Sequence, residues 1–246
     1  MTDLKYKNYQ SGSKPTNDKA GPLGLMKSKE LNHIPMISKS YIDLRVQKKD
    51  RQTEKWIKEY IGKIKEKYSG HNWNNMPAFQ GYVQLHDRYT EKKGIPSSSA
   101  GLIDFILEKG SVPKINTFVD MYNVVSSFTG ISIGAHDIDK LEGTPKLDII
   151  KQDMQFKMIG GGKDGVARKG EYCYIDEKGI LCRMDIKQCD RTKVTEDTKQ
   201  VLMIFQGNPY LGCDDLEKGI RMLDKIITSS YMDRHRSPPL HFACSI

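Results

Sequence analysis

The sequence predicts an α+β fold. Between residues 50 and 130, apolar residues recur every three to four positions, the period of helices that bury one face. After Gly130 the period falls toward two and the apolar runs shorten to strand length. Helices gathered first and strands afterwards do not give the alternation that builds a parallel βαβ sheet.

Taken in order, residues 1–30 are rich in Lys, Ser, Gly and Pro and read as a loosely docked lead-in. Ile42, Leu44 and Val46 alternate with Tyr41, Asp43 and Arg45, which predicts a strand over 41–46. Ile57, Ile61, Ile64 and Tyr68, widened by Trp56 and Tyr60, predict a helix over 50–68. Its outer face carries Lys55, Lys58, Lys63, Lys65 and Lys67. A second helix spans 74–92 and begins near Pro77. His86 shares its stripe with Phe79, Tyr82, Val83 and Tyr89 and reads there as a partly buried packing histidine. The stretch 97–110 has a serine cap, the stripe Leu102, Ile103, Ile106 and Leu107, and a glycine stop. The stretch 115–130 repeats this pattern, with Asn116 or Thr117 as the cap and Gly130 as the stop.

Strands are expected at 131–134, 145–150, 171–175, 179–184 and 200–206, with "IDEKG" as a hairpin turn ending on Gly179. "GGGKDG" at 160–165 lacks the GxxxxGK[ST] order and reads as a flexible loop, not a nucleotide cradle. A last helix covers 214–228, and residues 231–246 show no period and read as an extended tail.

Composition narrows the function. A hydrophobic fraction of 37% and a charged fraction of 28% are ordinary for a soluble globular protein. No apolar run approaches the roughly 20 residues a bilayer crossing needs, and the first residues lack the apolar stretch of a secretory signal. Five scattered cysteines with no CxxC pair argue against a structural zinc site and for a reduced, cytoplasmic setting. No metal or cofactor is expected. The net charge of +8 lies within residues 1–70, which hold 16 basic against 8 acidic residues; the remainder balances at 23 and 23. Two readings stand: an arm that meets a polyanion, or a solvated lysine-rich surface. The expected organisation is a basic arm and helix over 1–70 packed on a body of 71–230, then the tail.

The stretch "CDRTKVTEDTKQVLM" (189–203) crowds an aspartate, an arginine and three threonines before an apolar strand. Asp190, Arg191 and Lys193 read either as a structural ion-pair cluster or as the wall of a site. Thr192, Thr195 and Thr198 read either as turn and strand threonines or as part of that wall. Cys189 reads as a small buried filler rather than a nucleophile.

Two stretches together, "VPKINTFVDMYNVVSSFTGISIGAHDIDKLEG" (112–143) and "DRTKVTEDTKQVLM" (190–203), resemble the B3/B4 domain of the phenylalanyl-tRNA synthetase beta subunit and its free-standing relatives. The likeness is carried by Ile115, Asn116, Val119, Asp120, Asn123, Gly130, Ala135 and Asp137, then Val194 and Thr198, and spans about 76–228. It implies stacked antiparallel sheets flanked by helices. It also implies trans-editing, the hydrolysis of mischarged aminoacyl-tRNA, with tRNA as the partner. The alternative is a non-catalytic module that binds tRNA or a small amino-acid derivative. By this resemblance Asn123, His136, Asp190 and Thr192 are the catalytic candidates. Asn116, Tyr122, Gly134, Arg191, Lys193, Thr195 and Thr198 are the substrate-binding candidates. Two positions depart from the family pattern: Tyr122 replaces a threonine, and Gly134 stands where the synthetases carry a histidine. His136, two residues on, points to the same side of a strand as position 134.

Overall fold

The computed structural model describes residues 24–70, 72–160 and 164–230. In chain order the strands and helices are β1 (Met26–Lys27), β2 (Met36–Tyr41), α1 (Arg51–Tyr68), α2 (Pro77–Tyr89), α3 (Ser98–Lys109), α4 (Thr117–Thr129), β3 (Ser132–Asp137), β4 (Lys146–Ile149), β5 (Met154–Lys157), β6 (Asp164–Ala167), β7 (Tyr172–Asp176), β8 (Gly179–Arg183), β9 (Lys187–Gln188), β10 (Val201–Gln206) and α5 (Cys213–Ser230). The fold is α+β, with one sheet ordered β2-β10-β3, a second ordered β1-β4-β7-β8-β9, and a β5-β6 hairpin.

The helices end where their capping residues stand. Asp50 accepts the Thr53 amide at 2.7 Å and opens α1. Ser97 and Asn116 accept the Ala100 and Val119 amides at 3.2 and 3.0 Å and open α3 and α4. Each such cap is worth about 1 kcal/mol. Gly110 and Gly130, at φ of 73° and 82°, close α3 and α4 in a conformation that costs a residue with a Cβ.

The three-stranded sheet has two different faces, as strand alternation requires. Ile133, Ala135, Val201, Met203 and Phe205 pack with α4 and α5 in one core. Met36 and Ile204 face the other way, into a second core with the five-stranded sheet. A third cluster joins Ile57, Ile61, Ile64 and Tyr68 of α1 to Ile103 and Ile106 of α3 and Val124 of α4. Fully burying each isoleucine contributes roughly 1.5–3 kcal/mol. Among the described residues, no helix is long and apolar enough to cross a membrane.

Several sequence expectations shift. The strand expected at 41–46 runs instead from Met36 to Tyr41. Its partner sets the limit: β2 pairs with β10 from Met36–Gln206 to Tyr41–Val201, and Val201 is the first residue of β10. Asp43, at φ 55°, then turns the chain away. Part of the lead-in is ordered, because Met26 and Lys27 pair in parallel with Lys146 and Leu147. The glycine-rich loop yields a strand at Asp164 and Gly165, opposite Lys157 and Phe156; residues 161–163, like 1–23 and the tail, lie outside the described residues. The hairpin's other strand, β5, alternates Met154 and Phe156 with Gln155 and Lys157, a period-two pattern only four residues long. Cys173, Cys182 and Cys189 are free.

Candidate functional site

Strand alternation places the site. Ile133 and Ala135 of β3 point into the helical core, so Ser132, Gly134 and His136 face the opposite side. There they line a cavity of about 430 Å³ between the two larger sheets, bounded also by the start of α3 and by Tyr122 and Asn123 of α4. Ser132 and His136 sit roughly 13 Å apart along the strand, at about 3.3 Å per residue.

Gly134 occupies the middle of that row. Its φ lies outside the left-handed region, and a Cβ added there would meet nothing within 4 Å. The glycine is therefore not required by backbone conformation; its missing side chain leaves room inside the cavity.

At the Ser132 end stands Asp185, from the short turn after β8. Its carboxylate takes His86 Nε2 at 2.5 Å on one oxygen; the Ser132 hydroxyl and the Ser98 amide, at 3.3 Å, donate to the other. Both members of the His86–Asp185 pair are almost wholly buried. Burial works against charge on His86, but Asp185 outweighs it and raises the imidazole above its ordinary value. Burial likewise works against the Asp185 carboxylate, yet His86 and Ser132 hold it below the usual range. The result is an ion pair beneath the cavity. His86 is thus more than the packing histidine its stripe suggested. Its Nδ1 also bonds the Ile95 carbonyl oxygen, at 2.8 Å, which anchors α2 to the loop before α3.

At the other end, His136 is 1% exposed. Its Nδ1 lies 2.8 Å from Thr192 Oγ1 and 3.4 Å from Gln188 Nε2. Burial pushes its pKa down to about 4, so the ring is neutral at physiological pH. Tyr122 and Asn123 bound the same space, and burial raises the Tyr122 phenol above its ordinary value.

The segment 190–198 packs behind this cavity and supplies none of its lining residues. Thr192 is fully buried, touches His136 and gives its carbonyl to the Asp137 amide at 2.9 Å. Arg191 donates to Asp176 Oδ1 at 2.7 Å and to the Lys140 carbonyl at 2.6 Å. Lys193 pairs with Asp190 at 2.8 Å. Thr198 donates to Asp137 Oδ2 at 2.8 Å and accepts the Thr195 amide at 2.9 Å. Asn116 Nδ2 reaches the Val194 carbonyl at 3.3 Å, so the start of α4 and this segment do meet. Of the eleven residues singled out from sequence, Tyr122, Asn123, Gly134 and His136 converge on the cavity. The other seven buttress it or lie outside.

The family profile of the B3/4 domain matches residues 88–210, half of the chain. The chain belongs to the B3/4 domain family. It is similar to the phenylalanine–tRNA ligase beta subunit of Mycoplasma pneumoniae, at 30% identity over 87 residues. That alignment covers 35% of this chain and 11% of the relative, so the chain spans only a small part of that protein's length. A solved N-terminal fragment of the phenylalanyl-tRNA synthetase beta subunit from Pyrococcus horikoshii aligns at a TM-score of 0.35 and 16% identity, over 43% of this chain and 39% of that one.

Within this B3/4 domain, Asp185, Ser132, Ser98 and Gln188 carry no signal in the sequence, and His86, just before the matched segment, reads there only as a packing histidine. Asp185 lies 53 residues from Ser132 and 99 from His86, so no local spacing links them. One signal was present: a histidine on an otherwise apolar helical stripe needs a polar partner when it is buried. Among the described residues, no group of three His, Cys, Asp or Glu side chains is placed to hold a metal ion.

Proposed function

We propose that this B3/4 domain protein acts on tRNA in trans, hydrolysing the ester that joins a wrong amino acid to the 3′ end, in the cytoplasm. The reading rests on one observation above the others: Asn123 and His136, from separate elements, border a single cavity large enough for an amino-acid ester. Hydrolysis of an activated ester needs oriented donors for the developing oxyanion and a held water more than a strong acid–base pair. Asn123 and His136 take the ester carbonyl, and Tyr122 and Gly134 shape the space for the amino-acid side chain. Thr192 supports His136 from behind. Asn116, Asp190, Arg191, Lys193, Thr195 and Thr198 hold the segment that carries it. Family membership supports a tRNA context, and the basic balance of residues 1–70 suits a phosphate backbone.

The test is a panel of correctly charged and mischarged tRNAs incubated with the full chain, following ester loss. At least one mischarged species is expected to be hydrolysed, with Asn123→Ala slowing turnover about 100-fold, the scale of one lost oxyanion donor. A panel left wholly intact at micromolar protein refutes the reading.

A non-catalytic tRNA-binding module is favoured by a different observation: Asp185, the carboxylate in the cavity, is already engaged by His86 and Ser132. That reading predicts tRNA affinity that falls steeply with salt, survives Asn123→Ala, and weakens when Lys5, Lys7, Lys14 and Lys19 become glutamine.

A further inference from the structure

We propose that His136 serves the cavity as a fixed neutral hydrogen-bond donor, presenting Nε2–H to a carbonyl or oxyanion oxygen of the bound ligand, and that it does not act as a base. The proposal rests on the cavity reading above and goes further, because it assigns the proton.

The assignment follows from the neighbours of Nδ1. Gln188 Nε2 donates to the Ala135 carbonyl at 2.7 Å, which only the nitrogen of that amide can do. The Gln188 amide is therefore oriented with its NH₂ toward His136, 3.4 Å from Nδ1. An NH₂ group cannot accept a hydrogen bond, so this contact favours a lone pair on Nδ1. Thr192 is consistent with this. Its Oγ1 lies 2.8 Å from Nδ1 and 3.2 Å from Cys189 Sγ. The thiol can donate to the threonine and the threonine to the imidazole, a chain that runs one way. With both contacts at Nδ1 supplying protons in this arrangement, the assignment puts the ring's own proton on Nε2. Among the described residues Nε2 has no hydrogen-bond partner, and His136 lines the cavity. Nε2 is not among the fully buried side-chain atoms that lack a partner, so it stays reachable from the cavity and can give its proton to a ligand or a water there.

The charged groups around His136 keep this state. Asp176 favours the imidazolium, but burial opposes it first and Arg191, paired with Asp176 at 2.7 Å, opposes it as well. Lys187, Asp185 and Cys182 border the cavity, with Asp185 already committed to His86. A neutral donor costs no desolvation of charge when the ligand enters, and it keeps its proton as negative charge grows on the oxygen it holds.

Two experiments test this. The first needs no ligand. The ring nitrogens of the ¹⁵N-histidine-labelled full chain are followed by long-range proton–nitrogen NMR from pH 8 to pH 5, with His136 assigned by its loss in His136→Gln. The expected pattern is a protonated Nε2 and an unprotonated Nδ1 throughout. An Nδ1–H tautomer, or titration near the ordinary histidine value, overturns the proposal. This outcome is independent of whether any tRNA is deacylated. The second uses whichever aminoacyl-tRNA the panel shows to be hydrolysed. Glutamine can place an N–H near the Nε2 position but cannot act as a base at these pH values. His136→Gln is expected to turn over at least 10-fold faster than His136→Ala, with a rate flat from pH 5.5 to 8 in the wild type. Equal loss in both variants, with His136→Gln still folded, rejects the donor role.

Discussion

The His86–Asp185 pair offers the sharpest test of how this cavity is held. Their side chains are 0% and 3% exposed, and the nearest atoms stand 2.5 Å apart. Removing one partner of a buried pair strands the other charge and costs about 3–5 kcal/mol. Asp185→Asn should sit at the upper end, because Ser132 and the Ser98 amide also lose an ionised acceptor. His86→Asn should sit at the lower end, since both of those donors remain on the carboxylate. The double variant should be more stable than the sum of the singles by about 2 kcal/mol, the coupling of residues in one network. The pH dependence carries its own sign. His86 has a folded pKa raised above 6.5, so its contribution is complete below 6.5 and fades as pH rises through the folded value. In Asp185→Asn that partner is gone, and burial, the largest influence on the ring, is opposed only by the Ile95 carbonyl and Asp87. Below pH 6.5 the variant should therefore lose stability relative to the wild type, by at most about 1.4 kcal/mol per pH unit. Urea midpoints of the four proteins at pH 5, 6, 7 and 8 measure all of this. Additive single effects, with a loss constant across that range, would refute the ion pair.

Three further outcomes are expected. Gly134→Ala should leave thermal stability unchanged or raise it by up to about 1 kcal/mol, since its Cβ meets nothing. Gly207→Ala should lose about 1–3 kcal/mol or more, because its Cβ would fall on the Leu211 carbonyl; melting curves that reverse this order contradict the geometry. His136, with a folded pKa of about 4, should withdraw about 2 kcal/mol of stability between pH 7.5 and 5, because the unfolded chain binds the proton first. His136→Gln should lack that component in paired urea titrations. Asn116→Ala should cost about 1–2 kcal/mol by denaturant unfolding, losing both the α4 cap and the tie to Val194, whereas Asn116→Asp, which keeps the cap oxygen, should cost less.

By itself the sequence determined whatever local physics can write. The starts of α1, α3 and α4 follow from Asp50, Ser97 and Asn116, and the stops of α3 and α4 from Gly110 and Gly130, because a cap bonds atoms within three or four residues of itself. The strand β10 and its apolar run, the α+β class, and the B3/4 resemblance of two ordered motifs were legible for the same reason. Asn123 and His136 could be marked as candidates, but nothing linear said that they share a cavity while Asp190 faces its own lysine. The limits of β2 depended on where β10 stops pairing, a fact of the partner strand. Asp185 depended on His86 and Ser132, which sequence separates from it by 99 and 53 residues. Only the tertiary structure decided these points. A buried charge, an unpaired imidazole nitrogen and an empty space beside a glycine are defined by what the rest of the chain brings, or fails to bring, within a few ångströms.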